Sequence, residues 1–245
     1  MPVVRELSAR TEPFDSYWQA PKDIERGYTS FRQYYRANFL PHLPPDRAAK
    51  ILVVSCGPGY LVQLLKDEGY TAVVGIDSDP DKIGYAERRK LPCRVAEAFP
   101  FLESVADAYD LILCEQELNH LTKDETIEFL RLCHRALRPG GGLLVYGLNG
   151  ANPITGAEAL SQNFDHFYTF TEYSLLQILE LCGFEQCRAL PLKLYVFYRN
   201  PLNYVGWGAT ILLETIFRVL FRLYGKSAKI FTKKIAAVCR KPRQS

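Results

Sequence analysis

Between residues 50 and 147 the chain repeats one pattern: a short, continuously apolar run, a turn, then a helical stretch. The runs ILVVS (51–55), AVVGI (72–76), YDLILC (109–114) and GLLVYG (142–147), with a shorter one at 92–95, predict strands. Residues 59–68, 80–89 and 123–137 predict the helices between them. Strands that stay apolar instead of alternating are buried on both faces, and strands joined through helices run parallel. The pattern predicts an α/β fold with a mostly parallel sheet covered by helices on both sides. With 245 residues, 48% of them hydrophobic, the chain can fill one such core.

The flanks are less regular. Residues 1–49 form a polar, proline-broken lead-in with a helical, aromatic-rich stretch at 30–40, and residues 50–245 form the domain proper. Leu137-Arg138-Pro139-Gly140-Gly141 is expected to turn before the fifth strand. Residues 148–170 are irregular, a length that suits a functional or partly helical segment. A helix at 171–182 follows, with Thr171 as N-cap and Gly183 at its end. Then come a strand at 184–190, an extended piece at 194–198, a helix at 202–224 and a last strand near 232–240.

The first strand ends in Ser55-Cys56-Gly57-Pro58-Gly59 and leads into a helix. Glycines there let backbone N–H groups and a helix N-terminus approach a ligand. Twenty residues after Gly57, at the end of the second strand, stands Asp77, where an acid can accept hydrogen bonds from two ribose hydroxyls. The pair predicts an adenosine ligand. A nicotinamide dinucleotide would share both features, but its G-x-G-x-x-G fingerprint needs glycine at 62, where this chain has Val62. Glu97, after the third strand, is placed to accept from an adenine amino group.

VSCGPGY (54–60), GIDSDP (75–80), AEAF (96–99), YDLILCEQELNHL (109–121) and LRPGGGLLVYG (137–147), in that order and spacing, resemble the successive motifs of class I S-adenosylmethionine-dependent methyltransferases. The resemblance covers roughly residues 50–190. It implies a Rossmann-like, seven-stranded sheet whose last strand is antiparallel, with S-adenosylmethionine as cofactor. It also implies a cofactor site drawn from Ser55, Cys56, Gly57, Gly59, Asp77, Ser78, Glu97, Ala98, Cys114 and Glu115. NGANPITG (149–156), Phe164-Asp165-His166 and the run 170–185 are similar to bacterial methyltransferases that accompany polysaccharide biosynthesis. That likeness implies a sugar, glycan or other small-molecule acceptor. Two departures stand out. The family usually has an acid where this chain has Val53 and a glycine where it has Ser55, and its usual Glu-His reads Asn119-His120 here. A non-catalytic module binding S-adenosylmethionine or a nucleotide is therefore an alternative, and an oxidoreductase using NAD a weaker one.

Methyl transfer is an in-line displacement that demands alignment of donor and nucleophile and no metal. A general base helps if the acceptor is a hydroxyl, and histidine has a suitable pKa. His120 and His166 both fall beyond C-terminal strand ends, where ligands bind in such folds, and are the catalytic candidates. Glu115 and Glu117 come next. Tyr17 and Trp18 are candidates for an aromatic lid, and His42 and His134 are expected to be structural or solvated.

Residues 201–245 hold nine Lys/Arg and one acid, a surplus of eight that leaves residues 1–200 with a deficit of five. Within the predicted helix at 202–224, Glu214, Arg218 and Arg222 recur at four-residue spacing opposite a broad apolar face. Peripheral contact of residues 202–234 with an anionic membrane competes with a cap over the substrate cavity or a subunit contact. No nucleic-acid module is recognised. The longest apolar run in this part, 204–213, is ten residues against the roughly 20 that span a bilayer, so no transmembrane helix is expected. Seven scattered cysteines without C-x-x-C spacing suggest neither a disulfide framework nor a zinc site. The N-terminal residues lack a secretory apolar core. A cytoplasmic location follows as an expectation.

Overall fold

A computed structural model describes residues 21–161, 163–164, 166–193 and 201–243. Tyr17, Trp18 and the extended piece expected at 194–198 lie outside the described residues. Two helices lead in, α1 (Pro21–Ser30) and α2 (Arg32–Asn38). There follow β1 (Ile51–Val54), α3 (Tyr60–Asp67), β2 (Val73–Asp77), α4 (Pro80–Arg88), β3 (Cys93–Val95) and α5 (Ala98–Glu103). Next come β4 (Tyr109–Glu117), α6 (Lys123–Ala136), β5 (Leu137–Leu148), α7 (Gly156–Ser161) and α8 (Glu172–Leu181). The chain closes with β6 (Glu185–Pro191), α9 (Pro201–Leu223) and β7 (Lys234–Arg240).

The seven strands form one sheet in the order β3-β2-β1-β4-β5-β7-β6. β1 to β5 pair in parallel, and β7 runs antiparallel between β5 and β6. Within β1, Leu52 and Val54 belong to a core on one face, with Leu102 of α5, Phe129 and Leu130 of α6, and Leu175 of α8. Ile51 and Val53 belong to the core on the other face, with Leu61 and Leu65 of α3, Ile83 of α4, and Tyr35 and Phe39 of the lead-in. Side chains alternate between faces along a strand, so a strand covered on both sides must be apolar throughout.

Local signals set the helix starts. Asp79 caps α4, its carboxylate accepting from the N–H groups of Asp81 and Lys82, with Pro80 at the first helical position. Thr122 with Glu125 and Thr171 with Ser174 form reciprocal capping boxes on α6 and α8. Leu137 to Gly141 fall within the bounds of β5 but bend as expected before its regular ladder: Gly140 has φ 80°, and the step from Leu137 to Gly142 opposes only Tyr109 to Leu111 of β4. Leu137 pairs with Tyr109, and Gly140 N–H and Gly141 C=O bond Lys241, so the bend is held from both sides. α9 departs from expectation. At 23 residues it is long and apolar enough to cross a membrane by length and composition, although the uninterrupted apolar run is only ten residues. A helix gathers charges spaced four residues apart onto one side and leaves the rest of the cylinder apolar, so run length understates its apolar extent.

Candidate active site

The turn after β1 is built from left-handed backbone. Ser55, Gly57 and Gly59 have φ of 55°, 52° and 84°. Ser55 keeps the conformation that the glycine in related sequences adopts freely, at a cost on the order of 1 kcal/mol. Gly59 has no substitute, because a Cβ there would stand 2.9 Å from Leu91 Cδ1 on top of the backbone strain. The Gly57 N–H donates to Asp77 Oδ2 (2.8 Å), and the Asp79 N–H donates to Oδ1 (2.9 Å). Asp77 is buried, 9% exposed, at the C-terminal end of β2. Each carboxylate oxygen carries further lone pairs, so Asp77 both ties the turn to β2 and retains acceptor capacity for a ribose diol. Ser78 and Glu97 are exposed and Ala98 half-buried along the same rim, where the Ala96 N–H bonds Asp77 C=O.

The lead-in roofs this turn. Tyr28 donates its hydroxyl proton to Pro58 C=O, and Tyr60 donates to Ile24 C=O (3.0 Å). The Arg89 guanidinium stacks 3.7 Å over the Tyr28 ring while ion-pairing with Glu25. Tyr35 of α2 reaches further in and donates to Glu115 Oε2. Tyr146 of β5 donates to Glu115 C=O.

Glu115 is the most perturbed acid of the site. Burial pushes its carboxyl up to about 8 against the lowering effect of the Tyr35 hydrogen bond, and Asp77 adds to the rise. Burial and the Glu115 charge raise Tyr35 well above its ordinary value. Oε1 of Glu115 is buried with no hydrogen-bond partner. Val53 pairs with Leu113, so Glu115 lies on the face of Val53, one strand over and two residues nearer the C-terminal edge. The acid absent from position 53 is thus matched by a carboxylate close by. Glu117 lies in the same strand, and its side chain is outside the described residues.

The cysteines turn inward. Cys114 is fully buried in the core, so it is its backbone that can face a cofactor. Cys56 is wedged with Cys93 against Gly75, where an added Cβ would stand 2.7 Å from Cys56 Sγ. A hydrogen bond with Cys93 followed by burial raises the Cys56 thiol, leaving a packed, protonated group.

His120 and His166, 46 residues apart in sequence, meet edge to face with ring centroids 4.6 Å apart. Both are half-buried. His166 Nδ1–H donates to Ala159 C=O (2.5 Å), which leaves Nε2 to accept from Asn163 Nδ2 (3.3 Å). Both His166 nitrogens are engaged, which fixes its ring beside His120. Asn119, wholly buried, holds the pair together: its Oδ1 accepts from Leu148 N–H (3.3 Å) and its C=O accepts from Phe167 N–H (2.9 Å). Asn119 therefore braces the two loops in place of the acid that related sequences carry. His134 packs on Phe184 at 5.1 Å, a structural role as expected.

Sheet order, the left-handed turn and the buried acid at the end of β2 define the class I S-adenosylmethionine-dependent methyltransferase fold. Residues 51–141 match the family described as a methyltransferase domain. The chain is 30% identical over 131 residues to the human mitochondrial ubiquinone biosynthesis O-methyltransferase, covering 47% of this chain and 35% of the relative. It is 26% identical over 158 residues to the tRNA U34 carboxymethyltransferase of Hahella chejuensis, covering 60% and 48%. The chain thus spans between a third and a half of the length of these relatives. Among solved structures, a SAM-dependent methyltransferase from Archaeoglobus fulgidus superposes with a TM-score of 0.64 at 18% identity, over 93% of this chain and 98% of that one. Phosphoethanolamine N-methyltransferase 2 of Haemonchus contortus, in complex with S-adenosyl-L-methionine, gives 0.61 at 15% identity, over 96% and 61%.

The residues fit the cofactor. S-adenosylmethionine carries a ribose diol, an adenine amino group and an α-ammonium, and the site offers Asp77, Glu97 and the unpartnered buried Oε1 of Glu115 as acceptors. A desolvated carboxylate with one free oxygen is the environment a cation would complete.

Proposed function

We propose that the chain transfers the methyl group of S-adenosylmethionine to a hydroxyl of a small-molecule acceptor, a sugar or glycan being the leading class. The cofactor supplies an electrophilic methyl group for in-line displacement. Asp77 holds the ribose, Glu97 the adenine amino group and Glu115 the α-ammonium, while α1 and α2 exclude water from above. His120 removes the acceptor proton and His166 fixes the edge against which it works.

The observation that carries the reading is the His120–His166 pair, held by Asn119 at the same sheet edge as the turn and Asp77. A cofactor-binding module without catalysis would have no use for two imidazoles braced there. The proposal includes a cytoplasmic location and peripheral contact of residues 202–234 with a membrane. Labelled-methyl transfer into fractionated extract is the test. Calorimetry with S-adenosylmethionine, S-adenosylhomocysteine and NAD separates the alternatives: cofactor binding without turnover of any fraction favours the module, and NAD binding alone the oxidoreductase.

A further inference from the structure

The last turns of α9 are anchored to the domain through Phe217, Phe221 and Arg218. None of its 23 residues is buried. Its length is about 34 Å at 1.5 Å per residue. The first thirteen residues carry no charge. Around this half, Trp207 and Ile211 project on one side and Val205, Leu212 and Leu213 on the opposite side, all exposed. In the second half Glu214, Arg218 and Arg222 share a side, and Val219, Leu220 and Leu223 are exposed away from it. Phe217 and Phe221 pack against Phe231, tilted and edge to face (ring centroids 6.0 and 4.6 Å), anchoring the last turns to the domain. Lys226, Lys229, Lys233 and Lys234 follow.

We infer that α9 seats in one leaflet of an anionic membrane, its charge-free first half in hydrocarbon and its arginines, with the lysines that follow, among the lipid phosphates. Three observations argue for this arrangement. A second copy of the chain would cover one side of the helix, whereas the first half is apolar on opposite sides, as a lipid environment requires. Arg218, Arg222, Lys226, Lys229, Lys233 and Lys234, against the single acid Glu214, lie on α9 or between it and the start of β7 and complement anionic headgroups. A full crossing is excluded because both ends of α9 return to neighbouring strands of one sheet. Lys193 is fixed on the domain by both backbone groups, its N–H donating to Asn38 Oδ1 (2.8 Å) and its C=O accepting from Asn38 Nδ2 (3.2 Å). From there to Pro201 is eight residues, a reach of at most about 28 Å, short of a hydrocarbon core of about 30 Å. A non-helical return strand through lipid would also leave its backbone groups unpaired.

The seat has an orientation. β6 ends and β7 begins at the sheet edge where β5 ends, since Lys234 pairs with Leu148 and Ile235 with Pro191. The segment after α9 is stapled to that edge: Asn149 Nδ2 donates to Ile230 and Thr232 C=O (3.0 and 2.9 Å), and Glu172 Oε2 accepts from the Lys229 and Ile230 N–H groups (2.5 and 3.1 Å). α9 therefore leaves the domain on the His120–His166 side. Resting on the methyltransferase reading, the acceptor is a membrane-borne amphiphile presenting its hydroxyl at headgroup level.

The test uses the full chain with Trp18→Phe, which leaves Trp207 as its only tryptophan. Vesicles about one-third phosphatidylglycerol in phosphatidylcholine are compared with phosphatidylcholine alone. Sedimentation with the anionic vesicles is expected, at least about tenfold weaker with neutral vesicles or in high salt. Trp207 emission should shift to the blue and be quenched by lipids brominated in the acyl chain. A further Trp207→Glu, Ile211→Glu pair should lower binding at least about tenfold with the circular dichroism unchanged. Failure of the folded protein to sediment with anionic vesicles at low salt overturns the inference. So does a concentration-dependent dimer, abolished by the glutamate pair, that leaves Trp207 beyond reach of the brominated lipids. The readings need no cofactor, so a chain that binds vesicles but not S-adenosylmethionine unseats the acceptor class alone.

Discussion

Replacing Glu115 by glutamine should flatten the pH dependence of stability in the ligand-free protein. Burial holds the Glu115 proton in the folded state up to about pH 8, whereas an unfolded glutamate releases it near 4.3 to 4.5. Between those values the folded chain binds one proton more than the unfolded chain. Unfolding free energy then falls as pH rises, by about 1.4 kcal/mol per pH unit, and the stabilisation is fully present only below the unfolded value. From pH 5.5 to 7.5 the loss attributable to this group is on the order of 2 to 3 kcal/mol, after allowing for partial ionisation at either end. Urea titrations of wild type and Glu115→Gln at both pH values measure it, other titrating groups cancelling in the difference. Equal pH slopes in the two proteins would refute the buried, protonated carboxyl. The cofactor should reverse the trend. An ammonium against Oε1 favours the ionised form, so S-adenosylmethionine affinity of the wild type should climb by up to about tenfold per pH unit below pH 8. Glu115→Gln should lack that increment, the cofactor's own ionisation being common to both.

Asp77→Ala should weaken S-adenosylmethionine by about 1.5 to 3 kcal/mol in calorimetry, the scale of hydrogen bonds to a charged group, with Glu97→Ala smaller; unchanged affinity in folded Asp77→Ala removes the ribose assignment. His120→Ala should keep cofactor affinity and lose about 10² to 10⁴-fold in turnover together with the acidic limb of the pH–rate profile, whereas His166→Ala should lose less; wild-type rates in both would leave neither histidine catalytic. Gly59→Ala, forced to φ 84° with its Cβ 2.9 Å from Leu91, should lower stability by about 2 kcal/mol in urea titration, and an unchanged midpoint would contradict the close packing of the turn.

The central α/β layers were legible because their signals are local. Uninterrupted apolar runs report strands covered on both faces, and Thr171 marks its helix start by a side chain that bonds three residues ahead. The turn at Gly57 and the acid at Asp77 were legible for the same reason, being twenty residues apart across one strand-helix-strand unit. Histidines 120 and 166 could be assigned to an edge, but their contact depends on Asn119 bridging to Leu148 and Phe167, which no spacing encodes. Tyr35 was missed altogether. Its aromatic neighbours gave no sign that one hydroxyl would cross to Glu115, eighty residues away. A residue at a strand end can point into the core as readily as toward a ligand, and the register that pairs Cys114 with Val54 turns its thiol into the core.

The place of β7 bears on the order in which the molecule can be made. Among the described residues β6 finds its ladder partner in β7, which is synthesised 43 residues after the end of β6. While residues 192–233 emerge from the ribosome, β6 remains an open edge and the apolar helix between them is already outside the tunnel. A nascent chain at this stage offers two aggregation-prone surfaces, an unpaired strand and an uncovered helix. On the inference that α9 seats in a membrane, a nearby bilayer would shield the second before the sheet closes, and lipid would then act as a folding partner before the domain meets a substrate.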